Sequence, residues 1–429
     1  MNAEKALVTV ATVAMLSGIA LGSPAQEPSA CSARVTRANL VQCALSASLQ
    51  VEAERRELQA AEARRTAVTP LLPSNPVLAL SVAKRNTPSG EATNWSATLS
   101  QELEIAGQRG ARRDSADAAI DAQSRRVLLS RRETASLAWS AFFDAMAARA
   151  SERLAERLLT LTESLSAVAH ARAEQGLVAP VEADVAAATL VQAIQTELAA
   201  ERRSGESIQV LLSMFGLDPV RGSLVIEGEL VPIAGVEDAL ANYESGAAAD
   251  RPELRLFDAE RRAQESRAAA FRRSRVPNPT ISLFAQRDGI NERLLGVGVA
   301  FPIPLPGNVG HTYVGEIAES EALARRAVSE REAAERQLRL DIAIAAQSLA
   351  SRGKEVQAFS TEAVAQAEAS LVSLTREVES GRLALRDAVV AEQSLIELLR
   401  SNIEARRQWC LASLTLARAL GMPLEGRSP

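Results

Sequence analysis

Apolar residues recur along this chain with two different periods, and the switches between them mark out its elements. In Asn94 to Ser100 the odd positions Trp95, Ala97 and Leu99 are apolar and the even positions are polar. Val77 to Ala83 sets Leu78, Leu80 and Val82 on one side. The same alternation returns as Ile281 and Leu283 in Thr280 to Leu283, and as Val297 and Val299 within Leu295 to Phe301. A period of two puts successive side chains on opposite faces of a strand. It predicts β-hairpins over 76–102 and 279–302, each with one apolar face.

Elsewhere the period lengthens. Leu154, Leu158, Leu161, Leu165 and Val168 are spaced 4, 3, 4 and 3, and Val364, Ala367, Leu371, Leu374 and Val378 are spaced 3, 4, 3 and 4. Val389, Ile396, Leu399 and Ile403 continue the pattern. These are coiled-coil-like seams. They predict long helices over 111–175 and 315–379 with return helices over 180–215 and 383–420, and a shorter helix spans 250–274. A straight helix of more than 60 residues reaches roughly 95 Å, so these helices must pack side by side.

The plan is stated twice. Asn75-Pro76 recurs as Asn278-Pro279, and the run Gly107 to Gly110 as Gly307 to Gly310. Glu174 to Leu177 recurs as Glu379 to Arg382, and Phe215 to Asp218 as Leu420 to Pro423. The offsets are 203, 200, 205 and 205, too long for a short-repeat solenoid. Two structural repeats are expected, over 26–240 and 241–429.

Met1 to Lys5 is positively charged, Ala6 to Leu21 is apolar, and Ser23-Pro24-Ala25 has the small residues of a cleavage site. This is the layout of a secretory signal peptide over 1–25; the run is short for a membrane span, which needs about 20 residues. Three cysteines, Cys31, Cys43 and Cys410, cannot all pair internally, and their spacing does not choose among pairings. The residues before Cys31, Pro28-Ser29-Ala30, lack the leucine expected of a lipidation site. Aromatics are 3% of the chain, the formal net charge is −5 and the pI is about 5.5. The first suits long helices packed through small side chains; the charge gives no nucleic-acid footprint.

Export changes the meaning of the strands. Four strands leave two edges and little core. In a closed barrel they would have lipid outside and water inside, with Trp95, Ala97, Leu99, Ile281, Leu283, Val297 and Val299 facing lipid. One chain cannot close such a barrel around a lumen, whereas several can. The soluble alternative is a small sheet capping a helical bundle. At the other end each long helix meets a glycine and reverses: Gly176-Leu177-Val178-Ala179-Pro180-Val181-Glu182 and Gly381-Arg382-Leu383-Ala384-Leu385-Arg386-Asp387. Glycine suits the left-handed residue that closes a helix. Pro180, Glu182 and Asp387 suit the first turns of the next helices.

With these features in place, residues 36–425 resemble the outer-membrane efflux protein family of TolC-like channels. Gln101 to Arg112 and Phe301 to Asn308 resemble the strand-to-helix exits of its heavy-metal branch, the CzcC-like proteins. The resemblance implies a homotrimer in which each chain gives four strands to a 12-stranded barrel and its helices to a hollow coiled-coil cylinder across the periplasm. It implies docking of a periplasmic adaptor at the tips, Gly176, Leu177, Gly381, Arg382 and Leu383, and beyond it an inner-membrane pump. It implies an aperture lined by Glu182 and Asp387. A second acid found in some relatives is Val390 here, so a double acidic ring is not expected.

Catalytic chemistry is not expected. The two histidines, His170 and His311, lie in opposite halves, and no His/Cys cluster has metal-ligand spacing. Gly107-x-x-Gly110 lacks the lysine and context of a phosphate loop, and nothing arranges a Ser-His-Asp triad. No cofactor or bound metal is expected. The fold expected is mainly α with a small β part, and the function a passive outer-membrane duct for heavy-metal cations. The alternatives are a duct for drugs or secreted proteins, or a periplasmic adaptor or coiled-coil scaffold. An adaptor has one helical hairpin flanked by β-rich domains, and this chain has two hairpins.

Overall fold

A computed structural model of the chain describes residues 34–87, 90–244, 251–287, 292–307 and 309–425. The expected signal peptide and Cys31 lie outside them. The first half runs β1 (Arg34–Val35), α1 (Leu40–Ala47), α2 (Leu49–Ala67), β2 (Val77–Thr87), β3 (Gly90–Glu102), α3 (Gln108–Glu174) and α4 (Pro180–Met214). A connector carries β4 (Val225–Ile226) and α5 (Val236–Glu244). The second half runs α6 (Pro252–Ser274), β5 (Thr280–Arg287), β6 (Arg293–Ala300), α7 (Val314–Ala358), α8 (Thr361–Glu379) and α9 (Leu385–Leu420).

The 67 residues of α3 are unbroken, about 100 Å at 1.5 Å per residue. This helix packs on α2, α4, α6 and α9, while α7 lies against α6 and α9. The main core gathers at its midpoint. Trp139, Phe142 and Phe143 meet there with ring centroids 5.5 to 6.2 Å apart. Leu40, Leu211, Phe215, Ile342 and Leu416 close around them. Burying each such side chain stabilises the fold by roughly 1.5–3 kcal/mol. Arg37 stacks 5.2 Å over the Trp139 ring, and the indole N–H donates to the Leu424 carbonyl at 3.2 Å. Cys410 is a free thiol within this core, where burial pushes it up to about 12, so it acts as a packing residue. Cys43 is disulfide-bonded, which removes Cys410 from the pairings left open by the sequence.

The last of the duplicated motifs closes a helix in each half. Gly216 and Gly421 adopt φ 67° and 78°. The following N–H groups reach back, Leu217 to Leu212 and Met422 to Ala417, at 2.9 and 3.0 Å. Both close a helix in the left-handed glycine motif.

The helix expected over 315–379 is two helices. Phe359 leaves helical geometry at φ −90°, ψ 83°. Ser360 then caps α8, its hydroxyl accepting the Ala363 N–H at 3.0 Å. A serine in a helix interior competes for backbone N–H groups and is favoured at a cap. Here that local preference overrides the apolar periodicity. The first half has no such break. A second feature not expected from sequence is the parallel pairing of β1 with β4, two residues each.

The sheet has the order β2-β3-β5-β6 with every neighbour antiparallel. Leu80 faces Ala97, Leu99 faces Leu283, and Leu283 faces Val297. Directly opposed residues share a face, so one face is a continuous apolar surface. The other carries Ser81, Ser96, Thr98, Ser100, Ser282 and Gln286. There Phe284 lies over Gly296, where an added Cβ would collide with the ring.

The chain exposes 27182 Å². A compact monomer of 45.6 kDa is expected to expose about 16,000 Å². Among the described residues no helix is long and apolar enough to cross a membrane.

Candidate functional site

The apolar sheet face is the first part of the site. Every expected lipid-facing residue lies on it: Trp95, Ala97 and Leu99 in β3, Ile281 and Leu283 in β5, Val297 and Val299 in β6. Leu283, Val297 and Val299 are 53%, 68% and 58% exposed, so nothing within the chain covers them. Leu78, Leu80 and Val82 extend the surface onto β2. Lys84, and the paired Arg287 and Arg293, stand at its loop end.

The edges of this sheet are β2 and β6, and their directions are opposite. The β6 edge of one copy can therefore pair with the β2 edge of the next in the antiparallel sense used within the chain. Any closed ring of copies would then have an even number of strands and one apolar face outward.

Strand exits join the sheet to the helices. Gln108, 2% exposed, donates to the Val276 carbonyl at 3.1 Å and to Asn278 Oδ1 at 2.9 Å. Its own Oε1 accepts the Ala106 N–H at 2.8 Å. Asn278 donates to Glu102 at 2.7 Å. Arg109 reaches the Thr69 and Pro70 carbonyls at 2.6 to 3.0 Å. The exit segment thus locks the two halves together below the sheet. A cavity of about 350 Å³ opens beside it, lined by Glu102, Glu104, Arg112 and Tyr313 among others, with Glu104 and Arg112 ion-paired. Duplication of Asn75-Pro76 as Asn278-Pro279 was the available signal for Asn278; the network itself is non-local and was not legible.

The tips are the second part. Gly176 and Gly381 both adopt φ 71°. Leu177 N–H returns to the Arg172 carbonyl at 2.9 Å, and Arg382 N–H to the Glu377 carbonyl at 3.0 Å. Ala179 and Ala384 then begin the return helices with nearly equal backbone angles, φ −68°, ψ 141° and φ −67°, ψ 144°. The two turns are one structure built twice. Arg172 brings them together, donating to the Val378 and Glu379 carbonyls at 2.8 and 3.2 Å. A cation there meets the negative end of α8. Sequence reasoning missed Arg172, because its partners are backbone atoms of the other half.

Leu177 is exposed, Leu383 packs partly into the apolar cluster beneath, and Arg382 pairs with Glu377 at 3.0 Å. Glu182 and Asp387 stand in the first turns of α4 and α9. Asp387 is exposed and Glu182 half-buried. Val390 is exposed one turn on. His170 is exposed on α3, and His311 lies 3.2 Å from Glu316. Among the described residues no group of three or more His, Cys, Asp or Glu is placed to hold a metal ion.

No protein-family model matches the chain, and no curated protein matches it. Solved structures do. The outer membrane protein VceC from Vibrio cholerae matches with a TM-score of 0.68 at 18% identity, over 90% of this chain and 96% of that one. The Campylobacter jejuni outer membrane channel CmeC matches with a TM-score of 0.69 at 13% identity, over 90% and 85%. CusC, solved in a study of transmembrane channel formation, matches with a TM-score of 0.69 at 14% identity, over 90% and 92%. The chain has the fold of these three proteins.

Proposed function

We propose that this chain is the outer-membrane duct of a tripartite export system in a Gram-negative bacterium. Three copies close their sheets into a 12-stranded barrel, and their helices continue as a hollow cylinder through the periplasm. The tips dock a periplasmic adaptor that links the duct to an inner-membrane pump. The duct is passive; the pump supplies the energy. The cargo proposed is heavy-metal cations, on the two strand-exit segments that resemble the heavy-metal branch.

One observation carries this reading. A four-stranded sheet with two open, complementary edges presents a bare apolar face in line with paired helices far longer than a globule needs. Water disfavours that face and those edges, whereas a lipid-embedded barrel satisfies both. The shared fold supports the placement in the outer membrane. A soluble sheet-capped bundle would have to bury the apolar face within one chain, and this chain leaves it exposed.

Conductance across a planar lipid bilayer tests the duct. The purified full chain is expected to give discrete, long-lived pores that favour cations. Copies of the exposed Asp387 around a narrow opening concentrate negative charge and attract cations. Asp387→Ala is therefore expected to lower the cation-to-anion permeability ratio severalfold without abolishing the pore. An unchanged ratio would remove Asp387 from the aperture; an absence of pores would contradict the duct.

The tips give a separate expectation. A β-branched side chain at the left-handed Gly381 costs roughly 1–2 kcal/mol and distorts the turn. Gly381→Val is expected to weaken binding of the adaptor by tenfold or more in a pull-down while heat-resistant oligomers persist. Loss of the oligomer itself would show that the tip has been misplaced.

A further inference from the structure

We infer that Glu392 makes the packing of the second hairpin tip on the first depend on proton uptake, so that the closing end of the duct is held most firmly at acidic pH. The inference takes the tip end as the closing end, as proposed above; the burial of Glu392 does not depend on that reading.

Glu392 is 1% exposed. It sits in α9 between Ala388 and Ile396, members of an apolar cluster that Leu161 and Leu165 of α3 and Leu371 and Leu374 of α8 complete. Among the described residues its only hydrogen-bond partner is Thr162, and Oε2 has none. No ion pair reaches it among the described residues. An ionised carboxylate in such a place costs several kcal/mol.

The Thr162 geometry points the same way. Thr162 Oγ1 lies 2.8 Å from the Leu158 carbonyl oxygen and 2.6 Å from Glu392 Oε1. One hydroxyl has one proton to donate. Both contacts are satisfied when Thr162 donates to Leu158 and a protonated Glu392 donates to Thr162. With a carboxylate, one contact is lost.

Charged neighbours do not change this. On α3, Arg157 and Glu163 are exposed, as are Glu368 and Arg376 on α8. Arg157 and Glu368 lie 3.8 Å apart as their own pair. Asp184 on α4 is exposed and Glu197 half-buried, while Asp387, Glu397 and Arg400 on α9 point outward. Burial holds the Glu392 carboxyl above the usual carboxylate range.

The hinge completes the device. In the second half the helix breaks at Phe359 and Ser360, so α8 is capped as a separate helix, whereas α3 runs through. The tip segment of α8 and the start of α9 can shift against a continuous α3, and Glu392 with Thr162 spans that seam. Docked, Glu392 retains its proton above the usual carboxylate range; undocked in water, it releases it at the ordinary value. Below the ordinary value both forms are protonated and docking is undisturbed. As pH rises from there toward the raised value, the undocked form loses its proton first, and docking weakens by up to about tenfold per pH unit, the limit for one proton.

Hydrogen exchange of the assembled full chain in detergent reads docking directly. Protection of α8 and of residues 385–399, corrected for intrinsic exchange, is expected to be full below the ordinary carboxylate range and to fall as pH rises above it. Glu392→Gln, and independently the apolar Glu392→Met, are expected to hold protection at the acidic level throughout. A wild-type chain with flat protection, or variants that keep its pH dependence, would overturn the inference. Bilayer conductance is recorded in parallel, so a protein that shows the linkage but forms no pore would defeat the duct and leave the linkage standing.

Discussion

Leu283→Arg is expected to prevent stable insertion into the outer membrane. Leu283 lies at the centre of the apolar face, opposite Leu99 on one side and Val297 on the other. An arginine on the lipid face of a barrel costs about 2–4 kcal/mol near the bilayer midplane. In the proposed trimer three copies carry it at once, so the assembled ring would lose roughly three times that. Folded, heat-resistant oligomer in the membrane fraction should fall by well over tenfold, with the chain recovered as aggregate or degraded. Gln286→Arg is the control. Gln286 opposes Ser96 on the other face, and an arginine in the proposed water-filled lumen would be solvated. If both substitutions behave alike, the apolar face does not meet lipid.

Phe142→Ala is expected to cost about 3–5 kcal/mol per chain through lost burial and the cavity left behind. Phe142 is fully buried and edge-on to Trp139 at 6.0 Å, and its ring lies 3.4 Å from where a Cβ on Gly228, in the connector between the halves, would sit. That loss is a large share of the usual 5–15 kcal/mol of a domain. The midpoint core is where α3 meets both halves, so loosening there should disturb the packing of the long helices on one another. Thermal loss of helical signal is the measurement, with a downward shift of several degrees or more expected. Glu156→Ala, on the exposed side of the same helix, should change stability by less than about 0.5 kcal/mol. Equal shifts would mean the aromatic cluster does not hold the halves together.

Much of this architecture was legible because it follows from periodicity. Alternation in 94–100 and 295–301 gave the sheet faces, since a strand has no other way to divide polar from apolar residues. Gly176 and Gly381 marked the tips because few other residues accept φ near 71°. The break at Ser360 was hidden, because Val356, Val364 and Ala367 keep the helical spacing across it while a local cap decides the backbone. The short pairing of β1 with β4 depends on residues far apart in sequence. Gln108 and Arg172 act through backbone carbonyls of the other half, which no side-chain pattern reveals.

Glu392 is a different case. The return-helix seam of Val389, Ile396, Leu399 and Ile403 skips one place, and three residues after Val389 that place is Glu392. A charged residue at a seam position was a visible signal, and a reading of the apolar spacing alone passes over it. Among the site residues, the expected lipid-facing set falls on one exposed face. The aperture role of Glu182 and Asp387 and the docking role of the tips belong to the assembled duct and rest on the experiments above.

The account depends most on several copies closing one barrel in lipid. The direct measurement is the mass and outline of the particle extracted from outer membranes in mild detergent, by light scattering and electron microscopy of the full chain. Three copies in a single hollow tube with a detergent belt around one end are predicted. A single-copy particle that stays dispersed in water without detergent would contradict the account.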